Sequence, residues 1–316
     1  MNPPHVPVLL DEVLQAFADI KSGAIVDCTL GYGGHSGAIF EQNQNVNLIA
    51  CDQDEEAIKF SSERLKKFGQ RAQIFKSKFS EILEKVEQGQ IRGILADIGV
   101  SSLQLDKNER GFGLKSENLD MRMDAQAKFS AYDVANSYSA RELERIFADY
   151  GELPNPAKFA AKIVEARQNG EIKSAERLAQ IIGLKGINGR SVSAATLAFQ
   201  AIRIEVNNEL GELQNLLQSI EDSQIDECIV AIISFHSLED RIVKNYFRNL
   251  GKSCVCPPEV PACRCGGTPC AEVLTKKPVS PSAEEVSGNS PSRSAKLRVV
   301  RKLRDAEDAR CLGTVV

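Results

Sequence analysis

The chain has 316 residues, with 39 Lys+Arg against 43 Asp+Glu for a net charge of −4, 42% apolar residues and 26% charged ones. That balance belongs to a folded globular protein and excludes a disordered tail, and the length suits two domains or one large domain carrying an insertion. The longest apolar run, 228–233, falls far short of the roughly 20 residues of a membrane span, and the first seven residues lack a basic-then-apolar leader pattern, so the expectation is a cytoplasmic protein that does not cross a membrane.

Taken in chain order, the first half alternates strands with helices. Residues 24–27 form a short apolar run ending in Asp27, followed by the glycine-rich Leu30-Gly31-Tyr32-Gly33-Gly34-His35 and a helix. A second strand, 46–52, ends in Asp52; a helix over 55–67 leads to a third strand near 73–75; a fourth, 93–97, closes with Asp97. Strands alternating with helices predict a parallel sheet covered on both faces, with ligands bound outside the carboxyl ends of its strands. Asp27, Asp52 and Asp97 would then stand along one rim.

The middle of the chain reads as helical. Ser139 and Glu142 fit a capping box ahead of Leu143, Ile146, Phe147 and Tyr150, and the helix stops at Gly151. Pro156 starts a second helix that carries Phe159, Ile163 and Val164 and stops at Asn169-Gly170. Ser174 opens a third with Leu178, Ile181 and Ile182, and Ser193 opens a long fourth running towards Leu217. The prediction is an all-helical insertion over 106–204 that interrupts a discontinuous domain of 1–105 and 205–316. The sheet pattern resumes at 227–235, and a last strand is expected at 296–304.

The glycine loop carries the chemistry. Glycines allow a sharp turn and a close backbone approach to a ligand. Asp52 stands 19 residues beyond Gly33, where an acid of a Rossmann-type unit accepts hydrogen bonds from a ribose. A nicotinamide-dependent dehydrogenase is the competing reading, but its fingerprint requires a third glycine at position 36, which is Ser. An acid before the first glycine suits instead a ligand with a cationic amino-acid end, as S-adenosyl-L-methionine has. After the fourth strand, Asp97-Ile98-Gly99-Val100-Ser101-Ser102 stands where amino-methyltransferases hold a polar loop facing the target nitrogen; a strand-end turn with a solvated acid is the alternative.

Nine cysteines, five of them within 254–270, do not fit a secreted disulfide scaffold. Cys254, Cys256, Cys263 and Cys265 pair as C-x-C…C-x-C, which suits a structural zinc; a reduced loop without metal is the alternative. The run 293–304 holds six basic residues and no acid, and reads either as a solvated strand face or as an RNA contact.

Eight strings, in order and nearly end to end, resemble the bacterial small-subunit ribosomal RNA methyltransferases that methylate cytosine N4. They are His5-x-Pro-Val-Leu-Leu-Asp-Glu12, Asp27-x-Thr-x-Gly-x-Gly-Gly-His-Ser36, Asp97-Ile-Gly-Val-Ser-Ser-x-Gln-Leu-Asp106, Arg110-Gly-Phe-Gly113, Leu119-Asp-Met-Arg-Met-Asp124, Phe199-Gln-Ala-Ile-Arg-Ile-x-Val-Asn-x-Glu-Leu210, Ser234-Phe-His-Ser-Leu-Glu-Asp-Arg-Ile-Val-Lys244 and Arg293-Ser-Ala-Lys-Leu-Arg298. The resemblance implies a Rossmann-like, S-adenosylmethionine-dependent methyltransferase sheet with an inserted helical domain that helps to recognise RNA. Its substrate would be 16S ribosomal RNA, on the assembled subunit near the decoding centre, with a homodimer as an option. A ribosome-assembly factor without catalysis is a further alternative.

Carried over by position, the resemblance places donor binding on Gly33, Gly34, His35, Asp52, Phe79, Asp97 and Gln104. The chain departs from the family where Leu153-Pro154-Asn155-Pro156 replaces a usual Glu-Arg, and where Leu197 replaces an Arg. Asp97, or a carbonyl of its loop, would accept an N–H of the target amine and act as the catalytic group. His236 is the second catalytic candidate, with helix capping as its structural alternative. Related amino-methyltransferases place a base-stacking aromatic in the loop after Asp97; here that position is Val100, which leaves Phe235 or Phe112.

Overall fold

The computed structural model describes residues 6–100, 104–105, 107–187, 192–254, 256 and 268–303. The chain divides into two units, Met1–Gly99 with Gly211–Val316, and Val100–Leu210.

Among the described residues the first unit contains seven strands: β1 (Gly23–Asp27), β2 (Val46–Asp52), β3 (Ala72–Lys76), β4 (Ile91–Asp97), β5 (Cys228–Ser234), β6 (Ala271–Val273) and β7 (Lys296–Lys302). They form one sheet in the order β3-β2-β1-β4-β5-β7-β6. β1 to β5 pair in parallel, while β7 runs antiparallel to β5 and β6. Successive side chains of a strand point to opposite faces, and the two cores follow that alternation. Ile25, Leu48, Leu95 and Ala231 pack with Val13 of α1 (Leu10–Ala16), Ile39 and Phe40 of α2 (Gly34–Gln42) and Leu65 of α3 (Glu55–Leu65). Val26, Ile49, Ile94 and Val230 pack with Leu213, Leu216 and Leu217 of α9 (Glu209–Asp222) and with Val243 and Phe247 of α10 (Ser237–Leu250). Helices therefore cover both faces, which is why all seven residues of β5 are buried and the strand reads as an unbroken apolar run.

Most cations of the basic run around β7 are held by partners within their own unit. Arg298 and Lys296 pair with Asp240 at 2.7 and 3.2 Å, Arg301 with Glu272 at 2.7 Å, and the buried Lys302 donates to the Ile225 carbonyl at 2.8 Å. Four of its cations are thus engaged with the sheet's own neighbours. Arg293 is exposed, and Arg304 lies outside the described residues.

The second unit is helical: α4 (Ala131–Ser137), α5 (Ala140–Asp149), α6 (Pro156–Gln168), α7 (Ala175–Ile182) and α8 (Ala194–Asn207). Ser139 and Glu142 form the expected capping box, and Ser174 and Ser193 cap α7 and α8 by accepting from Arg177 N and Thr196 N, each at 3.1 Å. Leu143, Ile146, Phe147, Ile163, Leu178 and Ile182 line one core with Ala198, Phe199 and Ile202. The single helix expected from Ser193 towards Leu217 is two helices. Asn208 adopts φ 50°, a left-handed conformation that asparagine tolerates, and it ends α8 before α9 begins. Asn207 secures the break within this unit by donating to the Met121 and Arg203 carbonyls and accepting from Met123 N.

Candidate active site

The order β3-β2-β1-β4-β5 reverses direction at β1 and β4, and a doubly wound sheet binds ligands outside the carboxyl ends of its strands at such a point. The loop leaving β1 is fastened to both neighbouring strands: Cys28 N donates to Leu95 O at 2.8 Å and Leu30 N to Cys51 O at 2.9 Å. Gly33 N then closes a turn on Leu30 O at 2.7 Å. Gly31 and Gly33 have φ of 49° and 67°, values that L side chains rarely adopt. A Cβ on Gly33 would meet Ser61 and Leu65 at 3.4 Å, whereas the Cβ position of Gly31 is open. Gly34 starts α2 at normal φ, but its Cβ would stand 2.5 Å from Pro7 Cγ, so the segment before α1 crosses directly over it.

The three strand-end acids have separate tasks. Asp27 is only 2% exposed, and its carboxylate accepts from Thr29 N at 3.2 Å and from Ser36 Oγ at 2.5 Å. It therefore braces the loop from inside and does not line a ligand rim; Ser36, the residue that breaks the dehydrogenase fingerprint, is its hydroxyl donor. Asp52 is half-buried and accepts from Gly31 N at 2.8 Å and Asp54 N at 2.9 Å. The backbone N–H of Asp97 donates to Thr29 Oγ1 at 2.6 Å. Asp97 Oδ2 lies 3.8 Å from His35 Nδ1, and its Oδ1 is buried without a hydrogen-bond partner among the described residues. Burial pushes all three carboxyls up to about 6. At Asp97 the nearby His35 opposes that rise, while the charges of Asp27 and Glu239 add to it.

His35 is 7% exposed, and its Nε2 donates to Val8 O at 2.9 Å, so it ties the N-terminal segment to α2 and turns Nδ1 towards Asp97. Phe79 begins a 3-10 turn after β3 and is half-buried against the sheet core, so part of its ring remains available to a planar ligand. Gln104 belongs to the helical unit and is buried. The first unit thus brings Gly33, Gly34, His35, Asp52, Phe79 and Asp97 to loops and helix starts that follow β1, β2, β3 and β4.

At the end of β5, His236 is the N-cap of α10, and its Nδ1 accepts from Glu239 N at 3.4 Å. The capping alternative is therefore realised. Its Nε2 is buried without a hydrogen-bond partner, 3.0 Å from an equally unpartnered Glu239 Oε1. Glu239 and Thr29 were not apparent from the sequence. The only available signal for Glu239 was its position three residues after His236, the spacing of a capping box.

Cys28, Cys51 and Cys228 are buried free thiols whose ionisation burial suppresses, Cys228 being pushed up to about 12. Of the four cysteines expected to hold zinc, Cys254 is exposed and Cys256 half-buried; Cys263 and Cys265 lie outside the described residues. A polar cleft of about 530 Å³ between the 79–84 turn and α9 contains the buried Glu212, already met by Lys78 and Ser80.

Comparison with known proteins adds to this geometry. A relative from Campylobacter curvus, "Ribosomal RNA small subunit methyltransferase H", is 59% identical over 303 residues, covering 95% of this chain and 98% of its own. Proteins of the same name from Campylobacter concisus and Aliarcobacter butzleri are 59% and 52% identical, each covering 95% of this chain and 99% of its own. The model of the MraW methylase family matches residues 2–303. With a glycine turn, a bracing Asp27 and two further acids at the switch point of its sheet, and with that match over almost its full length, the chain belongs to the MraW methylase family.

Proposed function

We propose that this protein transfers a methyl group from S-adenosyl-L-methionine to the exocyclic N4 amine of a cytidine in 16S ribosomal RNA, in the cytoplasm, on the assembled small subunit near the decoding centre. The family membership and the names of its relatives support ribosomal RNA methylation. The observation that carries the chemical assignment is Asp97 Oδ1, a buried carboxylate oxygen without a partner at the carboxyl end of β4.

The residues present fit the donor. Asp52, orienting the loop through Gly31 N, retains acceptor capacity for a ribose hydroxyl; Phe79 offers an apolar face for a purine; the left-handed turn leaves the backbone at Gly31 uncrowded, the nearest atom to a Cβ there being Thr29 O at 4.0 Å. When bound, the donor supplies an electrophilic methyl on a sulfonium. The cytosine amine is a weak nucleophile because its lone pair is delocalised into the ring. Asp97 accepts one N–H, which draws that pair back to nitrogen, and takes the proton that nitrogen sheds once the N–C bond has formed. Alignment of the reacting atoms supplies most of the acceleration. His236, whose buried Nε2 stands 3.0 Å from Glu239 Oε1, is the second polar group of the site, and the helical unit recognises the surrounding RNA.

The test is radiolabelled methyl transfer to small subunits lacking the modification, followed by digestion to nucleosides. Label in N4-methylcytidine supports the proposal; no label, or label in another nucleoside, overturns it. A structural zinc on Cys254, Cys256, Cys263 and Cys265 belongs to the same reading and predicts stoichiometric zinc in purified protein, whereas trace zinc removes it.

A further inference from the structure

The carboxyl end of β5 carries an aromatic ring that donor binding does not use. Phe235 directly follows the strand and is half-buried, whereas Phe112 is 7% exposed within the core of the helical unit and has no free face to offer. The Phe235 ring lies against the backbone that follows Asp97. A Cβ on Gly99 would stand 3.0 Å from Cδ2 and 3.5 Å from Cε2, and Gly99 adopts φ 146°, so any side chain there would be strained and would displace the ring. The ends of the two strands are joined by Ile98 N donating to Ile233 O at 2.9 Å.

The backbone that carries the ring is held equally firmly. Glu239 is fully buried, and its Oε2 accepts from Phe235 N at 2.9 Å and from His236 N at 3.2 Å. A buried carboxylate committed to two consecutive amides fixes the direction in which the chain leaves β5. The ring is thereby set against Gly99, two residues after Asp97, whose buried Oδ1 has no hydrogen-bond partner among the described residues and suits an exocyclic amine. A flat apolar surface beside a hydrogen-bond acceptor is the combination that recognises an unstacked base bearing an amine.

We propose that Phe235 is the surface on which the target base stacks, with Gly99 providing its room and Glu239 acting as the positioning residue; this rests on the cytosine methylation proposed above. Stacking of a base on an aromatic side chain is worth about 1–3 kcal/mol. Phe235→Leu is therefore expected to lower kcat/KM for small subunits about 10- to 100-fold while donor affinity, measured by calorimetry, stays within about twofold. Phe235→Tyr, which keeps a ring, recovers most of the loss, and Gly99→Ala reproduces the loss through the ring it displaces. Undiminished kcat/KM in Phe235→Leu overturns the assignment, as does an equal loss in Phe235→Leu and Phe235→Tyr, or a parallel fall in donor affinity. Wild-type protein that puts no methyl on cytosine sinks the underlying reading as well, whereas an active wild type with an unaffected leucine variant sinks the stacking role alone.

Discussion

Asp27 offers a test in which the sign of a pH dependence decides. Its carboxyl is raised from 3.8 to about 6, chiefly by burial, with the hydrogen bonds from Ser36 and Thr29 opposing the rise. A carboxyl held about two pH units above its ordinary value costs the folded chain about 3 kcal/mol once it is ionised. Between about pH 4 and pH 6 the folded state binds more protons than the unfolded one, so stability falls as pH rises through that window and stays low above it. Asp27→Asn has nearly the same shape and no charge. Its amide oxygen still accepts from Thr29 N, and the Ser36 hydroxyl can rotate to accept from the new NH₂. The charge of Asp27 also pushes up Asp52 and Asp97, so removing it relieves both. The variant should therefore exceed wild type by up to about 3 kcal/mol near neutral pH, with the advantage fading below about pH 4. Urea denaturation of both proteins across this range measures the difference. An advantage that does not change with pH, or a deficit that grows as pH rises, would refute the reasoning.

Asp97 gives activity the opposite slope: the carboxylate must be ionised to accept, so single-turnover methyl transfer should fall as pH drops through about 6. Asp97→Asn should cut the rate at least about 100-fold and abolish that acidic limb, because a general base contributes 10²–10⁴-fold; an unchanged limb in the variant contradicts the assignment. Gly34→Ala places a Cβ 2.5 Å from Pro7 Cγ and must push aside the segment that carries Val8 O, the acceptor of His35, so donor affinity measured by calorimetry should fall. Gly37→Ala in the same helix meets nothing closer than 3.7 Å and should raise thermal stability, since alanine is favoured over glycine in helices by about 1 kcal/mol. Arg298→Met should cost about 1.5–3 kcal/mol in denaturant titration, because it removes the charge-assisted hydrogen bonds to the buried Asp240 and leaves that carboxylate with Lys296 alone, and pairing it with Asp240→Leu should recover most of that. A double variant no more stable than the single one would show that the ion pair is not the source.

Local chemistry made much of this protein legible in its sequence. The capping box at Ser139 and Glu142, the start of α6 at Pro156 and the Asp52 and Asp97 strand ends depend on residues within a few positions of one another, and each stands where spacing and propensity place it. The glycine loop was legible for the same reason: a sharp turn between strand and helix demands residues that tolerate positive φ.

Partners distant in the chain decided the rest. Whether a carboxylate faces a ligand or braces a loop depends on which donors the fold brings to it: Asp27 is taken by Ser36 and turned inward, while Asp97 keeps one oxygen without a partner. The cations of β7 read equally as a solvated strand face or an RNA contact, and only the fold shows that Arg298 and Lys296 stand beside Asp240 and Arg301 beside Glu272. The break at Asn208 carries no proline or glycine at the turn itself, and the contacts of Asn207 with Met121 and Met123 show why the chain turns there. Periodicity reports which face of an element is apolar; the selection of a hydrogen-bond or ion-pair partner requires the packed sheet and helices that bring remote residues within about 3 Å.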